Sequence, residues 1–187
     1  MKKIIYTLVF LSFVVAGCKK DRDKPNTPPS DTDEHGFITT VQTIFKEAGN
    51  DNDSLVFTFS DTDGPGGLPP QIRDTIRLQN NTSYTLQIRL LDRSNPDKPE
   101  DLTADFLKDA ANHLMCFYPS EALESDLKIY ITDSDGKLPI GLQSTWQTGV
   151  TAQGKVKFVL KHQPGIKNGN CDLGATDVDI EFVTEIE

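Results

Sequence analysis

From position 37 onward, apolar residues recur at every second position in short runs separated by turn-forming residues. That is the period of a strand with one face buried and the other in water. Ile72, Asp74, Ile76 and Leu78 lead into Asn80-Asn81, and Tyr84, Leu86, Ile88 and Leu90 lead out of it, which predicts a hairpin about the two asparagines. Leu127, Ile129 and Ile131 predict another strand, and Leu142, Ser144, Trp146 and Thr148 a further one. Val156, Phe158 and Leu160 alternate with Lys155, Lys157 and Lys161, while Val178, Ile180 and Phe182 alternate with Asp177, Asp179 and Glu181. With 37–45 and 55–59 this makes about seven to nine short strands, an all-β chain whose expected architecture is an immunoglobulin-like antiparallel β-sandwich. One segment departs from the pattern. Leu102, Phe106, Ala110 and Leu114 recur at helical spacing behind Thr103, a candidate N-cap, so one short helix is expected across an end of the sandwich, running into a strand at 115–118.

The first 36 residues read differently. Lys2 and Lys3 precede an apolar run from Ile4 to Ala16, closed by Val15-Ala16-Gly17-Cys18. The run falls short of the roughly 20 apolar residues a spanning helix needs, and a charged stretch follows at once, so 1–17 are expected to be a cleaved signal peptide. The four residues ending in Cys18 resemble a bacterial lipobox, with Val15 where leucine is commoner. The resemblance implies that Cys18 carries the lipid, palmitate included, as the first residue of the mature chain. Residues 18–36 hold Pro25, Pro28 and Pro29 among Lys, Asp, Asn, Ser and Thr, without an apolar residue fit for a core, and are expected to form a flexible tether. The folded domain is then 37–187, a length that suits one core.

Charge narrows the partners. Loss of Lys2 and Lys3 with the leader takes the net charge from -9 to -11, which argues against nucleic acid, since phosphate backbones are bound by basic patches. Beyond Cys18 there are two cysteines, Cys116 and Cys171. In an oxidising compartment they are most simply a disulfide, with a thiolate metal ligand or two separated thiols as alternatives.

No phosphate loop, nucleophile elbow, paired helical histidines or redox Cys-x-x-Cys occurs in the sequence, so no enzyme is expected. Two acidic turns, Asp61-Thr62-Asp63-Gly64 and Asp133-Ser134-Asp135-Gly136, alternate carboxylates beside a glycine. Such turns aim oxygens at one point, as calcium requires, yet Asp-Gly is also a preferred hairpin turn; Asp61, Asp63, Asp133 and Asp135 therefore carry both readings. Of the three histidines, His35 lies in the tether. His162 ends the strand of Val156, Phe158 and Leu160 on its core-facing side, and His113 is placed near the end of the expected helix. Both can fall at one end of the sandwich, where Asp109, Cys116 or an acidic turn would complete a zinc or copper site; two structural histidines are the alternative. Lys155, Lys157 and Lys161 face outward opposite Asp177, Asp179, Glu181 and Glu185, which reads as cross-strand charge matching if those strands pair.

Several stretches together resemble a family of small Bacteroidetes lipoproteins that carry the label type 1 periplasmic binding fold superfamily. They are Phe57-Thr58-Phe59-Ser60-Asp61-Thr62-Asp63-Gly64, Asn112-His113-Leu114-Met115-Cys116-Phe117, Ile131-Thr132-Asp133-Ser134-Asp135-Gly136, Leu160-Lys161-His162-Gln163-Pro164-Gly165 and Gly174-Ala175-Thr176-Asp177-Val178. The label implies an α/β fold, which period-two runs and a single helix cannot build. The resemblance implies histidines at His113 and His162, and cysteines at 116 and 171 that occur together, as a disulfide would. It also implies an acid where Asn112 stands, and companionship with TonB-dependent receptors. Asp53-Ser54-Leu55 and Asp74-Thr75-Ile76 are similar to O-glycosylation sites of that group. Lys19, in place of an Asp that would resemble an inner-membrane retention signal, favours the outer membrane, on its periplasmic or cell-surface face. The functional expectation is a lipid-anchored binding module that captures a transition metal or small nutrient for such a receptor. Its rival is a structural or adhesive module with calcium-stiffened loops.

Overall fold

The computed structural model describes residues 37–50 and 53–187. The expected leader, the tether with His35 and the lipidation residue Cys18 lie outside the described residues. Among the described residues, eleven strands and one short α-helix form an all-β sandwich, as the alternation predicts. One sheet contains β1 (Thr40–Glu47), β2 (Leu55–Ser60), β3 (Ile72–Arg73), β5 (Ser83–Asp92), β8 (Leu127–Ile131) and β9 (Gln143–Thr148) in the order β3-β2-β1-β5-β9-β8, with β6 (Glu100–Asp101) paired to β5. The other runs β4-β11-β10-β7, made of β4 (Ile76–Leu78), β11 (Ala175–Ile186), β10 (Ala152–His162) and β7 (His113–Pro119).

The inward positions of both sheets meet in one aromatic core. Trp146 is fully buried, with Phe45 edge-on at 5.1 Å, Phe117 at 5.9 Å and Phe158 at 5.9 Å between ring centroids. Its indole N–H donates to Ser144 Oγ at 3.0 Å, so the ring's single polar atom is satisfied inside the core. The alternation of β9 puts Ser144, Trp146 and Thr148 inward together, the pattern read from the sequence.

Two expectations are corrected. The run from Ile72 to Leu78 is not one strand of a hairpin with β5. It breaks at Asp74, whose N–H donates to Thr58 O at 3.0 Å and whose Oδ2 accepts from Thr58 N–H at 2.8 Å. That grip keeps β3 on the first sheet, while β4 crosses to the second and pairs in parallel with β11. Asn80-Asn81 is thus the crossing between sheets, with Asn81 at φ 50°. The helix is also shorter than its apolar spacing implied. α1 spans Thr103–Lys108, a 3-10 turn follows over Ala110–Asn112, and His113 already begins β7, so Leu114 is a strand residue. Thr103 is the helix's first residue, not its cap. Its hydroxyl accepts the N–H of Leu90 at 2.9 Å, while Asp101 Oδ1 accepts the N–H of Thr103 at 3.1 Å.

Candidate metal centre

β7 and β10 are antiparallel neighbours, and their register sets His113 directly opposite His162. Directly opposed residues share a face of the sheet. The two imidazoles accordingly stack, with centroids 4.8 Å apart and planes within 6°. Phe106 of α1 closes on His113 edge-on at 4.6 Å, so His113 is buried while His162 remains half-buried.

Asp109, the residue that ends α1, supplies a third group. Its carbonyl oxygen lies 3.1 Å from His113 Nδ1 and its Oδ2 lies 3.6 Å from the same nitrogen. Asn112, the position where the resemblance implied an acid, donates from Nδ2 to Asp109 Oδ1 at 2.7 Å and so orients that carboxylate. Asp109, His113 and His162 each offer one ligand atom, all within 4.8 Å of one another. Tetrahedral zinc separates its nitrogen ligands by about 3.4 Å, and stacked rings aim their in-plane lone pairs side by side, so chelation requires the half-buried His162 to rotate out of the stack. The site is poised near that geometry without already having it.

Sequence reasoning missed a fourth residue. Alternation along β11 turned Asp177 outward. In the structure the β10–β11 register slips between Leu160 and Lys161, with Leu160 opposite Val178 but Lys161 opposite Thr176. Asp177 is the extra residue of this β-bulge, and a bulge re-aims a side chain. Its Oδ2 comes within 3.7 Å of His113 Nε2, and its side chain is only 8% exposed. No composition or spacing signal marks such a slip; the neighbouring Gly174-Ala175 was the nearest hint. Gly174 itself, at φ +79°, lies against the backbone carbonyl of His162 where any Cβ would collide.

The cysteines are joined, Cys116 to Cys171, with Cα atoms 6.1 Å apart. That removes them from the pool of metal ligands and corrects the thiolate alternative. The bond ties the 163–174 loop to the outer side of β7, beside Leu114 and Val159. Two buried polar side chains hold the same loop. Gln163 donates to the carbonyls of Asn170 and Leu173 at 2.7 and 2.9 Å, and Lys167 donates to Ala110 O at 2.7 Å and Asp135 Oδ2 at 3.0 Å.

Three of the four carboxylates in the acidic turns accept backbone N–H groups, those of Asp63, Asp133 and Asp135, whereas Asp61 Oδ1 accepts no hydrogen bond. Asp63 accepts from Leu68 N–H at 2.7 Å and from Gln71 at 3.2 Å. Asp133 accepts from Gly141 and Gln143 N–H at 2.8 and 3.0 Å. Asp135 accepts from Lys137 and Leu138 N–H at 2.9 and 2.8 Å as well as from Lys167. These are the bonds of tight turns, the reading that Asp-Gly alone supports. The Leu138 N–H, then Lys167 and the Lys137 N–H, hold the Asp135 carboxyl down to about 2. Because the folded value is depressed, this stabilisation is complete above the unfolded value of about 4 and disappears as pH falls toward 2. The difference in thermal midpoint between the native protein and Asp135→Asn is therefore expected to shrink between pH 5 and pH 2, on the order of the titration window. A difference that stays constant with pH would show the ionised carboxylate to be irrelevant.

On the outer face, Lys157 pairs with Asp179 at 2.9 Å and Lys155 with Glu181, as expected of charge matching, whereas Lys161 donates to the Thr176 hydroxyl at 2.9 Å, Glu185 pairs with Arg77 and Asp177 turns inward. No helix among the described residues is long and apolar enough to cross a membrane. Comparison with known families, curated proteins and solved structures finds no match for this chain.

Proposed function

We propose that the chain is an outer-membrane lipoprotein, anchored through acylated Cys18, whose sandwich captures zinc or copper between His113, His162 and Asp109 for delivery to a TonB-dependent receptor. The observation that carries the metal reading is the convergence of two imidazoles and a carboxylate within 4.8 Å, contributed by β7, β10 and the end of α1. The leader and lipobox support the anchor, and the family resemblance supports the receptor as partner.

His113 has a neighbour on each ring nitrogen, and this gives it two useful states. With its proton on Nδ1 it donates to the Asp109 carbonyl and rests without metal. With its proton on Nε2, facing Asp177, it turns an in-plane lone pair toward the Asp109 carboxylate, and His162 joins the ion by rotating out of the stack. An outer carboxylate that holds the far N–H of a metal-binding imidazole fixes the tautomer and makes the ring a better ligand. Asp177, with Oδ2 3.7 Å from Nε2, would take that role by closing to hydrogen-bond distance. Three protein ligands leave a fourth position open, which suits a carrier that must also release its ion.

Calorimetry with zinc and with copper on the full-length protein tests the reading. Binding at about 1 μM or tighter is expected. His162→Ala should weaken it by more than the roughly 10–100-fold that outer-shell partners cost. Equal affinity in native protein and variant, or no binding of either ion, would defeat the proposal. His162 is the better target because His113 is packed in the core and its removal disturbs folding as well.

A further inference from the structure

A cavity of about 330 Å³ opens at one corner of the sandwich, between the start of β1, the end of β2, β3 and the first half of β11. The topology leaves it there. β4 covers β11 only from Thr184 to Ile186, so residues 177–180 have no strand on that side among the described residues. The volume falls at the lower end of the range typical of small-molecule sites, roughly 300–1,000 Å³. Phe37, Val41, Phe59, Val178 and Ile180 make its walls apolar.

The polar groups in it are few and unequal. Asp179 is answered by Lys157 and Asp177 faces His113. Arg73 places its guanidinium carbon 5.8 Å from the centroid of the Phe59 ring, at the exposed rim. Asp61 differs from all three. Two positions beyond Phe59 it shares that residue's inward face, and its N–H is fixed to Thr39 O at 2.8 Å. The residue is half-buried with its carboxyl beside that of Asp63, and its Oδ1 is shielded from solvent and has no hydrogen-bond partner. A buried carboxylate oxygen calls for a donor, and a cationic donor forms the stronger, charge-assisted bond.

The geometry points to a second binding site, in which this cavity takes a small primary amine with a compact apolar body, its ammonium on Asp61 and its body against Phe59, Val178 and Ile180. The site is independent of the metal reading, since Asp177 is the sole residue the two have in common.

The test uses 2-phenylethylamine as probe on the full-length protein, with 2-phenylethanol and 3-phenylpropionate as neutral and anionic counterparts, followed by calorimetry and by amide chemical shifts. The amine is expected to bind at least about tenfold more tightly than either counterpart and to shift the amides of Val178 and Ile180. Asp61→Asn should reduce amine affinity at least about tenfold and leave the alcohol within about twofold. Ile180→Trp, which fills the cavity from β11, should abolish binding of all three. The proposal is overturned by no amide shift at roughly 10 mM amine, by equal binding of amine and alcohol, by preference for the acid, or by unchanged amine affinity in either variant. Zinc titration of Asp61→Asn separates the two sites. Retained zinc binding with lost amine binding supports the cavity by itself, and failure of the native protein to bind zinc leaves the amine result standing.

Discussion

Trp146→Ala is expected to lower the free energy of unfolding by about 4 kcal/mol, the range for deleting a fully buried aromatic side chain. The indole touches aromatic rings from both sheets: Phe45 from β1, and Phe117 and Phe158 from β7 and β10. Its removal opens a cavity that rigid strands cannot close from either side. It also strips Ser144 Oγ of the donor at 3.0 Å. Trp146→Phe restores part of the volume but not that donor, and should still cost about 2 kcal/mol. Urea denaturation measures both, and Tyr130→Ala, at a site 53% exposed, serves as a control expected within about 0.5 kcal/mol of native. A loss below about 1.5 kcal/mol for Trp146→Ala would mean that the two sheets do not depend on this ring.

Breaking the Cys116–Cys171 bond is expected to cost a similar amount. The two residues are 55 positions apart, and closing a loop of that length removes unfolded-state entropy worth about 4 kcal/mol in the loop-closure model. The Cys116→Ala, Cys171→Ala double variant avoids leaving free thiols and should unfold at correspondingly lower denaturant. The strands themselves should persist, because β7 keeps its ladder to β10 and its Met115 N–H bond to Ile140 O at 2.7 Å. Zinc affinity should change much less than stability does, since Gln163 and Lys167 still hold the 163–174 loop. A large loss of zinc affinity at full folding would show instead that the bond positions the histidines.

Much of the sandwich could be read from alternation, because burial of one face imposes the period of two wherever a strand lies on the core. The runs ending at Thr148, Leu160 and Phe182 show it plainly. What alternation does not encode is the neighbour. Ile76 and Leu78 look the same whether β4 pairs with β5 or with β11, and a single carboxylate, Asp74, decides by holding Thr58. The extent of α1 was hidden for a related reason. Leu114 satisfies helical spacing and also the outward phase of β7, where it is buried against Cys116 and Val159, and long-range pairing with β10 prevails over the local preference. At the centre, His113, His162 and Asp109 were recognisable from residue type and position. Asp177 was not, because a one-residue slip in a ladder reverses which face a side chain takes without any mark in the residues around it.

The opposition of His113 and His162 has a consequence for how such a centre would tolerate change over time. The spacing of the two imidazoles comes from the gap between adjacent strands, a constant of backbone hydrogen bonding, and not from the conformation of any loop. Lineages could lengthen, shorten or rewrite the hairpin tip at 134–139 and the outer part of the 163–174 loop while inheriting the same pair at the same separation. Rim residues would then be free to diverge toward different ions or different receptors, with the chelating pair carried along as a fixed part of the ladder.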